Sequence, residues 1–240
     1  MPFFVILLLA ILPGLRADDA AEQPGTEILE RYFTASRTQQ EFLKGLAMEA
    51  DFEANVPNLK KFGKLHALRY ISKIGQVTYK VLSQQGDKGV NKDVIARYIH
   101  AEMETAETRG IGISRDNYRF RYRGQHGTGD WQLHLFELVP KQKRVGLFRG
   151  WLWVEARTGV PVREQGEFVK SPSIWLRKIS FVRDYELKGD MSVPTKIDTT
   201  IETRIVGKAE LTIRYTNVHK GEPSVDASRL AASNLTATNQ

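Results

Sequence analysis

Large apolar side chains alternate with arginine in one stretch of this 240-residue chain, and their spacing could bind a ligand. Alternate residues of an extended strand project from one face. A strand over residues 174–187 would therefore carry the following groups on one face: Trp175, Ile179, Phe181, Tyr185 and Leu187, together with Arg177 and Arg183. Such a face suits an apolar molecule with an anionic head group. The alternative is a half-buried sheet whose arginine stems extend to water.

A second alternating pattern, from Tyr118 to Arg123, separates rings from charges. Its three aromatic residues share one face of a strand and its three arginines share the other. A nucleic acid base could not stack on these rings while its phosphate contacted those arginines. The pattern therefore argues against nucleic acid and leaves an ordinary two-sided strand or contact with an anionic surface.

A cluster of possible metal ligands, His100, Glu102, Glu104 and Glu107, lies in a segment predicted to be helical. His100 and Glu104 are one turn apart and could share a metal ion. A third ligand is not identifiable, because the five histidines of the chain are scattered. We therefore predict a solvated acidic helix face and no metal.

Catalytic patterns are weak. Two carboxylate pairs could in principle support glycoside hydrolysis, Asp51 with Glu53 and Glu164 with Glu167, but both are predicted on solvent-exposed sides of strands. The glycine-rich residues 124–130 join two strands instead of leading from a strand into a helix, which predicts a hairpin and not a phosphate site. The sequence also lacks a Gly-x-Ser-x-Gly elbow. We predict neither an enzyme nor a cofactor.

The amino terminus has the pattern of a secretory signal. Residues 3–12 are apolar, Pro13 and Gly14 follow, and Ala17 precedes two aspartates. Because a bilayer span needs about 20 apolar residues, this run predicts a cleaved signal over residues 1–17, with an uncleaved anchor as the alternative. The chain contains no cysteine, so it has neither a disulfide nor a lipid-bearing cysteine. The predicted location is the periplasm.

The charge balance favours anionic partners. The net charge is +7 at pH 7 and drops by one when Arg16 leaves with the signal. This excess suits phospholipid or acidic glycolipid surfaces. The basic turn from Lys141 to Arg144 is either a solvated loop or a docking point for membrane head groups or an acidic partner.

Periodicity predicts two helices and about ten antiparallel strands in one domain. Thr26 would cap the first helix, whose apolar face is Ile28, Leu29, Tyr32 and Phe33; Asn91 would cap the second, which runs to about Arg109 with the stripe Val94, Ile95, Tyr98 and Ile99. Strands are predicted over residues 45–56, 64–72, 76–83, 118–124, 130–140, 145–156, 160–169, 174–187, 194–206 and 209–217. Residues 18–25 and 221–240 are predicted to be flexible. A sheet of this size curls, and amphipathic helices would cover one face.

Several segments resemble the LolA-like superfamily, in its branch of outer-membrane lipoprotein-sorting-like proteins. The resemblance rests on Phe148-Arg-Gly-Trp-Leu-Trp-Val-Glu-Ala, the turn at Thr158-Gly159, Pro161-Val-Arg-Glu, Lys170-Ser-Pro-Ser-Ile-Trp, Ser180-Phe-Val-Arg-Asp-Tyr and Arg204-Ile-Val-Gly-Lys-Ala-Glu-Leu-Thr-Ile-Arg-Tyr. It covers roughly residues 115–218 and extends weakly to about residue 26. It implies a mainly β fold with helices (α+β), in which a curled antiparallel sheet over residues 26–220 forms an incomplete β-barrel and lid helices cover an apolar cavity.

The resemblance implies a non-enzymatic carrier or chaperone that shelters the acyl chains of a lipid or an acylated protein. Our predicted cavity lining is Phe52, Tyr79, Phe120, Leu133, Leu152, Trp175, Phe181 and Tyr185, with Ile28, Tyr32, Ile95 and Tyr98 on the lids and Arg177 and Arg183 at the head group. The alternative is a periplasmic sensor or interaction module that binds a lipoprotein or a membrane-anchored partner. A protein partner in the inner or outer membrane, or peripheral contact with a membrane, fits both hypotheses.

Overall fold

The computed structural model describes residues 23–107, 110–127 and 132–221. The predicted signal over residues 1–17, residues 18–22 of the segment predicted to be flexible and the predicted tail beyond residue 221 lie outside the described residues.

The described chain contains two long helical segments, ten strands and a short 3-10 helix, Pro57–Leu59. Helix α1 spans Gln23–Leu43. A continuous helical segment, here α2, consists of Lys88–Val90, the π-helical Asn91–Ala96 and Arg97–Glu107. The strands are β1 (Leu46–Val56), β2 (Lys61–Ile71), β3 (Val77–Gly86), β4 (Tyr118–His126), β5 (Leu133–Pro140), β6 (Phe148–Glu155), β7 (Pro161–Phe168), β8 (Leu176–Lys188), β9 (Met191–Thr203) and β10 (Lys208–Lys220).

All ten strands form one antiparallel sheet in the order β3-β2-β1-β10-β9-β8-β7-β6-β5-β4. The sheet is not closed, so β3 and β4 are its two edges. Both helices pack on the same face, here the inner face. The prediction of an open antiparallel sheet covered by helices is therefore confirmed.

The core is divided into two clusters, one beneath each helix. The α2 cluster joins Ile95 to β1, β2, β9 and β10 through residues such as Phe52 and Ile213. The α1 cluster joins Ile28 and Tyr32 to β4, β5, β6 and β8. Burying a large apolar side chain contributes about 1.5–3 kcal/mol, so each cluster holds its own helix on the sheet.

Both helices begin earlier than their predicted caps. Helix α1 already includes Gln23, three residues before Thr26. Helix α2 is capped by Asp87, whose side chain accepts a hydrogen bond of 3.0 Å from the backbone N–H of Val90. Asn91, the predicted cap, lies inside the helix and is buried, and its side chain donates to the Gln85 carbonyl.

A pair of glycines brings two strands into close contact at the centre of the inner face. Gly150 of β6 pairs with Gly166 of β7. A Cβ atom on Gly150 would lie 1.9 Å from the Gln165 carbonyl oxygen, and one on Gly166 would lie 2.3 Å from the Phe148 ring. Only glycine fits at these positions, and the space above them is taken by the edge-to-face rings of Phe148 and Phe181.

Candidate functional site

A charged pair occupies the middle of an apolar row on the inner face. The residues in register across β1, β10, β9, β8, β7, β6, β5 and β4 are Phe52, Ile213, Ile197, Arg183, Glu164, Leu152, Phe136 and Tyr122. Arg183 and Glu164 therefore lie between the two core clusters. A charge at such a position needs a partner of opposite charge, and Arg183 and Glu164 are partners of each other.

Arg183, Glu164 and Tyr185 form one hydrogen-bonded group, here the central triad. Arg183 Nη1 donates to Glu164 Oε2 at 3.0 Å, and Tyr185 Oη donates to Glu164 Oε1 at 2.9 Å. The guanidinium also lies 5.7 Å from the centre of the Phe181 ring. Glu164 is thus buried, with both carboxylate oxygens hydrogen-bonded. The Arg183 guanidinium, by contrast, also makes a cation–π contact with the Phe181 ring.

Arg183 has N–H donors that form no hydrogen bond with the described residues. Its hydrogen bonds within the described residues use only Nη1, although a guanidinium carries five N–H donors. The side chain is 36 % exposed, compared with 8 % for Glu164. Among the buried side-chain atoms of the described residues, only Asn91 Oδ1 lacks a partner, so the remaining donors of Arg183 are reachable from solvent. They can bind an anion.

A second ion pair, Arg69 with Glu102, fastens α2 to the sheet. Arg69 donates from Nη2 and Nε to Glu102 Oε1 at 2.7 and 3.1 Å. Tyr79 of β3 donates to the other carboxylate oxygen of Glu102. The Arg69 guanidinium also lies over the ring of Tyr215, 5.6 Å from its centre. The pair is largely shielded, with 10 % and 21 % of the two side chains exposed.

The surroundings set the protonation states of these groups. Burial acts to lower the pKa of Arg183, but Tyr185, Glu164 and Tyr98 outweigh it and raise that pKa well above its usual value. Burial acts to raise the pKa of Glu102, but the positive charge of Arg69 and the hydrogen bonds from Tyr79 and Arg69 lower it overall. Burial and the Glu164 carboxylate raise the pKa of Tyr185. Arg183 and Glu102 are therefore charged and Tyr185 is neutral near pH 7.

Helix α1 is held by a buried amide contact, whereas its ion pair with the segment before β4, Glu30 with Arg115, is exposed. Ser192 N–H donates to Gln39 Oε1 at 2.9 Å, and the Gln39 amide donates to the Ser192 carbonyl. The Ser192 hydroxyl donates to the Pro161 carbonyl at 2.7 Å. Near the other end of α1, Arg31 donates to the carbonyl of Ala156. The amide contact can break without leaving a charge buried, which distinguishes α1 from α2.

Most of the predicted ligand-binding residues lie on the inner face, but in separate clusters. Phe52, Tyr79, Ile95 and Tyr98 belong to the α2 cluster or pack against it, whereas Ile28, Tyr32, Phe120, Leu152 and Phe181 belong to the α1 cluster or pack against it. Tyr185 and Arg183 lie in the central triad between them. The inner face thus has two apolar halves separated by a polar centre, and the ligand-binding roles of these residues remain predictions.

Three predicted site residues lie elsewhere. Leu133 shares the outer face with Leu135 and Glu137, because the inner residues of β5 are His134, Phe136 and Leu138. Trp175 precedes β8 and is exposed in the β7–β8 loop. Local hydrogen bonds among Ser171, Ser173 and Trp175 hold this part of the chain outside the sheet. Arg177 is exposed at the start of β8, where the register shifts, and does not join Arg183.

The sequence analysis assigned two carboxylates to solvent-exposed positions, and both assignments were wrong, since Glu164 is buried and Glu102 is largely shielded. Glu102 was predicted on a solvated face, and Glu164 on an exposed side of its strand. A signal existed for each: Glu102 continues the helical stripe of Tyr98 and Ile99, and Glu164 alternates with Gly166. By contrast, Asp51 and Glu53 lie on the outer face, paired with His66 and Lys64.

Neither a metal site nor a membrane-spanning helix occurs in the described part of the chain. No group of three histidine, aspartate or glutamate side chains there could hold a metal ion. None of the helices there is long and apolar enough to cross a bilayer. His100 is exposed and Glu102 is engaged with Arg69.

Comparison with solved structures gives distant matches over most of the chain. A LolA superfamily protein from Nitrosomonas europaea is 12 % identical, with 84 % of this chain and 95 % of that one covered and a TM-score of 0.40. A domain named for outer membrane lipoprotein sorting, from Vibrio parahaemolyticus, is 9 % identical, with 84 % and 94 % covered and a TM-score of 0.41. The MucA/MucB complex from Pseudomonas aeruginosa gives 9 % identity, 82 % and 99 % coverage and a TM-score of 0.25.

No protein-family model and no curated protein matches the sequence. Identities and TM-scores this low assign neither ligand nor activity, so the function has to be inferred from the inner face itself.

Proposed function

We propose that this chain is a secreted, non-catalytic periplasmic protein that binds the acyl chains of a lipid or lipoprotein on its inner face, with the anionic head group on Arg183. The observation that carries the proposal is that the Arg183 guanidinium is partly exposed, has N–H donors free of hydrogen bonds within the described residues, and lies between two apolar clusters. An amphiphile needs both features side by side. A guanidinium is well suited to the head group because it binds phosphate and carboxylate in a planar, two-pronged geometry.

The apolar clusters can supply the shelter that acyl chains need. Removing an acyl chain from water is worth about 0.8 kcal/mol per CH₂, or roughly 11–13 kcal/mol for 14–16 carbons. The residues beneath the helices, among them Phe52 and Phe181, are buried by helix packing. An acyl chain can reach them only when a helix moves away and the chain takes the place of its apolar face.

Helix α1 is the better candidate for the mobile lid. Its buried polar anchor, Gln39 with Ser192, is uncharged, whereas opening α2 would leave the charges of Arg69 and Glu102 unpaired. Displacing α1 exposes the cluster that contains Leu152 and Phe181, directly beside Arg183. The head group and the acyl chain would then bind at adjacent positions.

Native mass spectrometry of the detergent-free protein, purified from the periplasmic fraction, tests the proposal. We expect a copurifying acylated molecule at about one per chain, identified after solvent extraction. Binding of a fluorescent fatty acid is then compared between the protein and its E164Q/R183Q double variant, which removes both charges and leaves neither unpaired. We expect at least tenfold weaker binding, with R177Q as the matched control that binds normally.

Two results would overturn the proposal. One is a mass that corresponds to the polypeptide alone, together with no fatty acid binding at micromolar concentration. The other is equal fatty acid affinity in E164Q/R183Q and R177Q when circular dichroism shows both variants folded, because the head group would then not be on Arg183.

A further inference from the structure

Exposed apolar side chains are concentrated at one end of the sheet. Because neighbouring strands are antiparallel, the β1–β2, β5–β6, β7–β8 and β9–β10 connections all lie at the same end. Of the nine large apolar side chains exposed in the described residues, six belong to these connections or to the first residues after them: Leu59, Phe62, Val145, Ile174, Trp175 and Ile205. Their exposed fractions run from 46 % for Val145 to 76 % for Ile174. We call this end the rim.

Hydrogen bonds connect the rim loops into a continuous row. Asn58 Nδ2 donates to the Val206 carbonyl at 3.4 Å, which links the β1–β2 turn to the β9–β10 turn. Arg204 donates from its backbone and its side chain to the carbonyls of Trp175 and Ile174, at 3.0 and 2.9 Å. The tips of the β7–β8 and β9–β10 connections therefore present Ile174, Trp175 and Ile205 together.

The rim is also rich in cations that have no ion pair with any residue the structure describes. They are Lys60, Lys141, Lys143, Arg144, Lys170 and Arg204, all exposed. Elsewhere on the sheet, basic side chains such as Lys64, Arg123 and Arg163 form ion pairs with acidic neighbours. Six cations without an ion pair to any described residue thus lie at the end where apolar groups are exposed, while others without one, such as Lys73 and Lys80, are scattered elsewhere.

We propose that the rim docks on the surface of a membrane that contains anionic phospholipid. Exposed apolar groups at loop tips, one of them a tryptophan, enter the interfacial region, where an indole is favoured. The flanking lysines and arginines meet lipid phosphates, with affinity increasing about fivefold for each cation near the surface. The apolar groups occur on successive loops with cations between them, a distribution that suits an extended charged surface better than a compact protein partner.

Vesicle cosedimentation of the full chain tests the rim. Vesicles of phosphatidylcholine with 30 % phosphatidylglycerol are compared with pure phosphatidylcholine at low and high salt, since screening weakens surface charge interactions. We expect the I174S/W175S/I205S variant to bind at least tenfold more weakly to anionic vesicles. We expect the K141Q/K143Q/R144Q variant to have roughly a hundredfold lower affinity for anionic vesicles, because each of the three cations contributes about fivefold.

Matched controls come from exposed residues away from the rim. I74S/V81S removes apolar groups of similar exposure, and K73Q/K80Q/K188Q removes three exposed cations; both are expected to bind like the parent chain. Brominated lipids provide a direct readout, because quenching of tryptophan fluorescence should decrease when Trp175 is replaced by Phe.

Membrane binding that is the same in the rim variants and the controls would overturn the proposal, because the binding surface would then lie outside the rim. Equal binding to anionic and neutral vesicles would overturn it as well. The fatty acid affinity of the rim variants should be normal, so a failure of the rim proposal and a failure of the proposed acyl-binding site can be told apart.

Discussion

Glu102 of α2 receives two hydrogen bonds on a single carboxylate oxygen from Arg69 of β2, at 2.7 and 3.1 Å. The second oxygen accepts a hydrogen bond from Tyr79. The carboxylate is therefore satisfied from two neighbouring strands, and the position of α2 over the edge of the sheet depends on it.

Replacing Glu102 by alanine should destabilise the fold by about 3 kcal/mol, because it leaves the Arg69 guanidinium shielded and without its partner. Urea denaturation measures the loss, and amide hydrogen exchange should show that α2 opens more readily. Glu41→Ala removes an exposed partner of Lys44 and should change stability little. Equal effects of the two substitutions would mean that the Arg69 pair does not hold α2.

The Glu102 pair should also make stability depend on pH in the acidic range. The pKa of Glu102 is lowered in the folded chain, so the unfolded chain binds the proton first. Its contribution is fully present above the usual glutamate pKa of about 4.3 and is lost as the pH falls through the lower, folded pKa. Denaturation curves between pH 2 and 7 should show a smaller acid-dependent loss for Glu102→Gln than for the parent chain. Parallel curves would contradict this.

Gly150→Ala should destabilise the chain by about 3 kcal/mol or more, since its Cβ would lie 1.9 Å from the Gln165 carbonyl oxygen and both atoms belong to the backbone framework. Gly112→Ala is the matched control, because no atom lies within 4 Å of its added Cβ. Thermal denaturation measures the stability of both variants. A Gly150 variant as stable as the control would mean that β6 and β7 are farther apart than described.

Phe181→Ala should cost about 3–5 kcal/mol of unfolding free energy. The ring lies 4.9 Å from that of Phe148 and 5.4 Å from that of Phe168, centre to centre, and is buried in the α1 cluster. Phe62→Ala, at a half-exposed ring, should stay within about 0.5 kcal/mol of the parent chain. Similar losses for the two variants in urea denaturation would contradict the inner-face assignment of Phe181.

Alternation was sufficient to predict the strands and the faces of several functional residues. In β4, Tyr118, Phe120 and Tyr122 lie on the inner face as predicted, because the strand is regular up to Tyr122. The same rule misplaced Trp175, because hydrogen bonds of Ser171 and Ser173 bend the chain before β8 begins. It also misplaced Leu133, because leucines occur on both faces of β5 and the alternation there is ambiguous.

The two inner-face ion pairs could not be predicted from local patterns. Arg69 and Glu102 are 33 residues apart, and each alone is a charged residue on an apolar stripe. Only the packing of α2 over β2 brings them together. The sequence predicted Arg183 at the head group but placed Glu164 on an exposed side of its strand, because only the register of β7 with β8 shows which carboxylate meets Arg183.

The anchoring of α1 has a consequence for biosynthesis. Gln39 bonds to Ser192, which lies 153 residues later in the chain, and Arg31 bonds to a carbonyl 125 residues later. Helix α1 therefore cannot complete its packing until β9, which contains Ser192, has been made. Long sequence separations of this kind slow folding. Helix α1 is consequently expected to dock late, after the strands that supply its partners have paired.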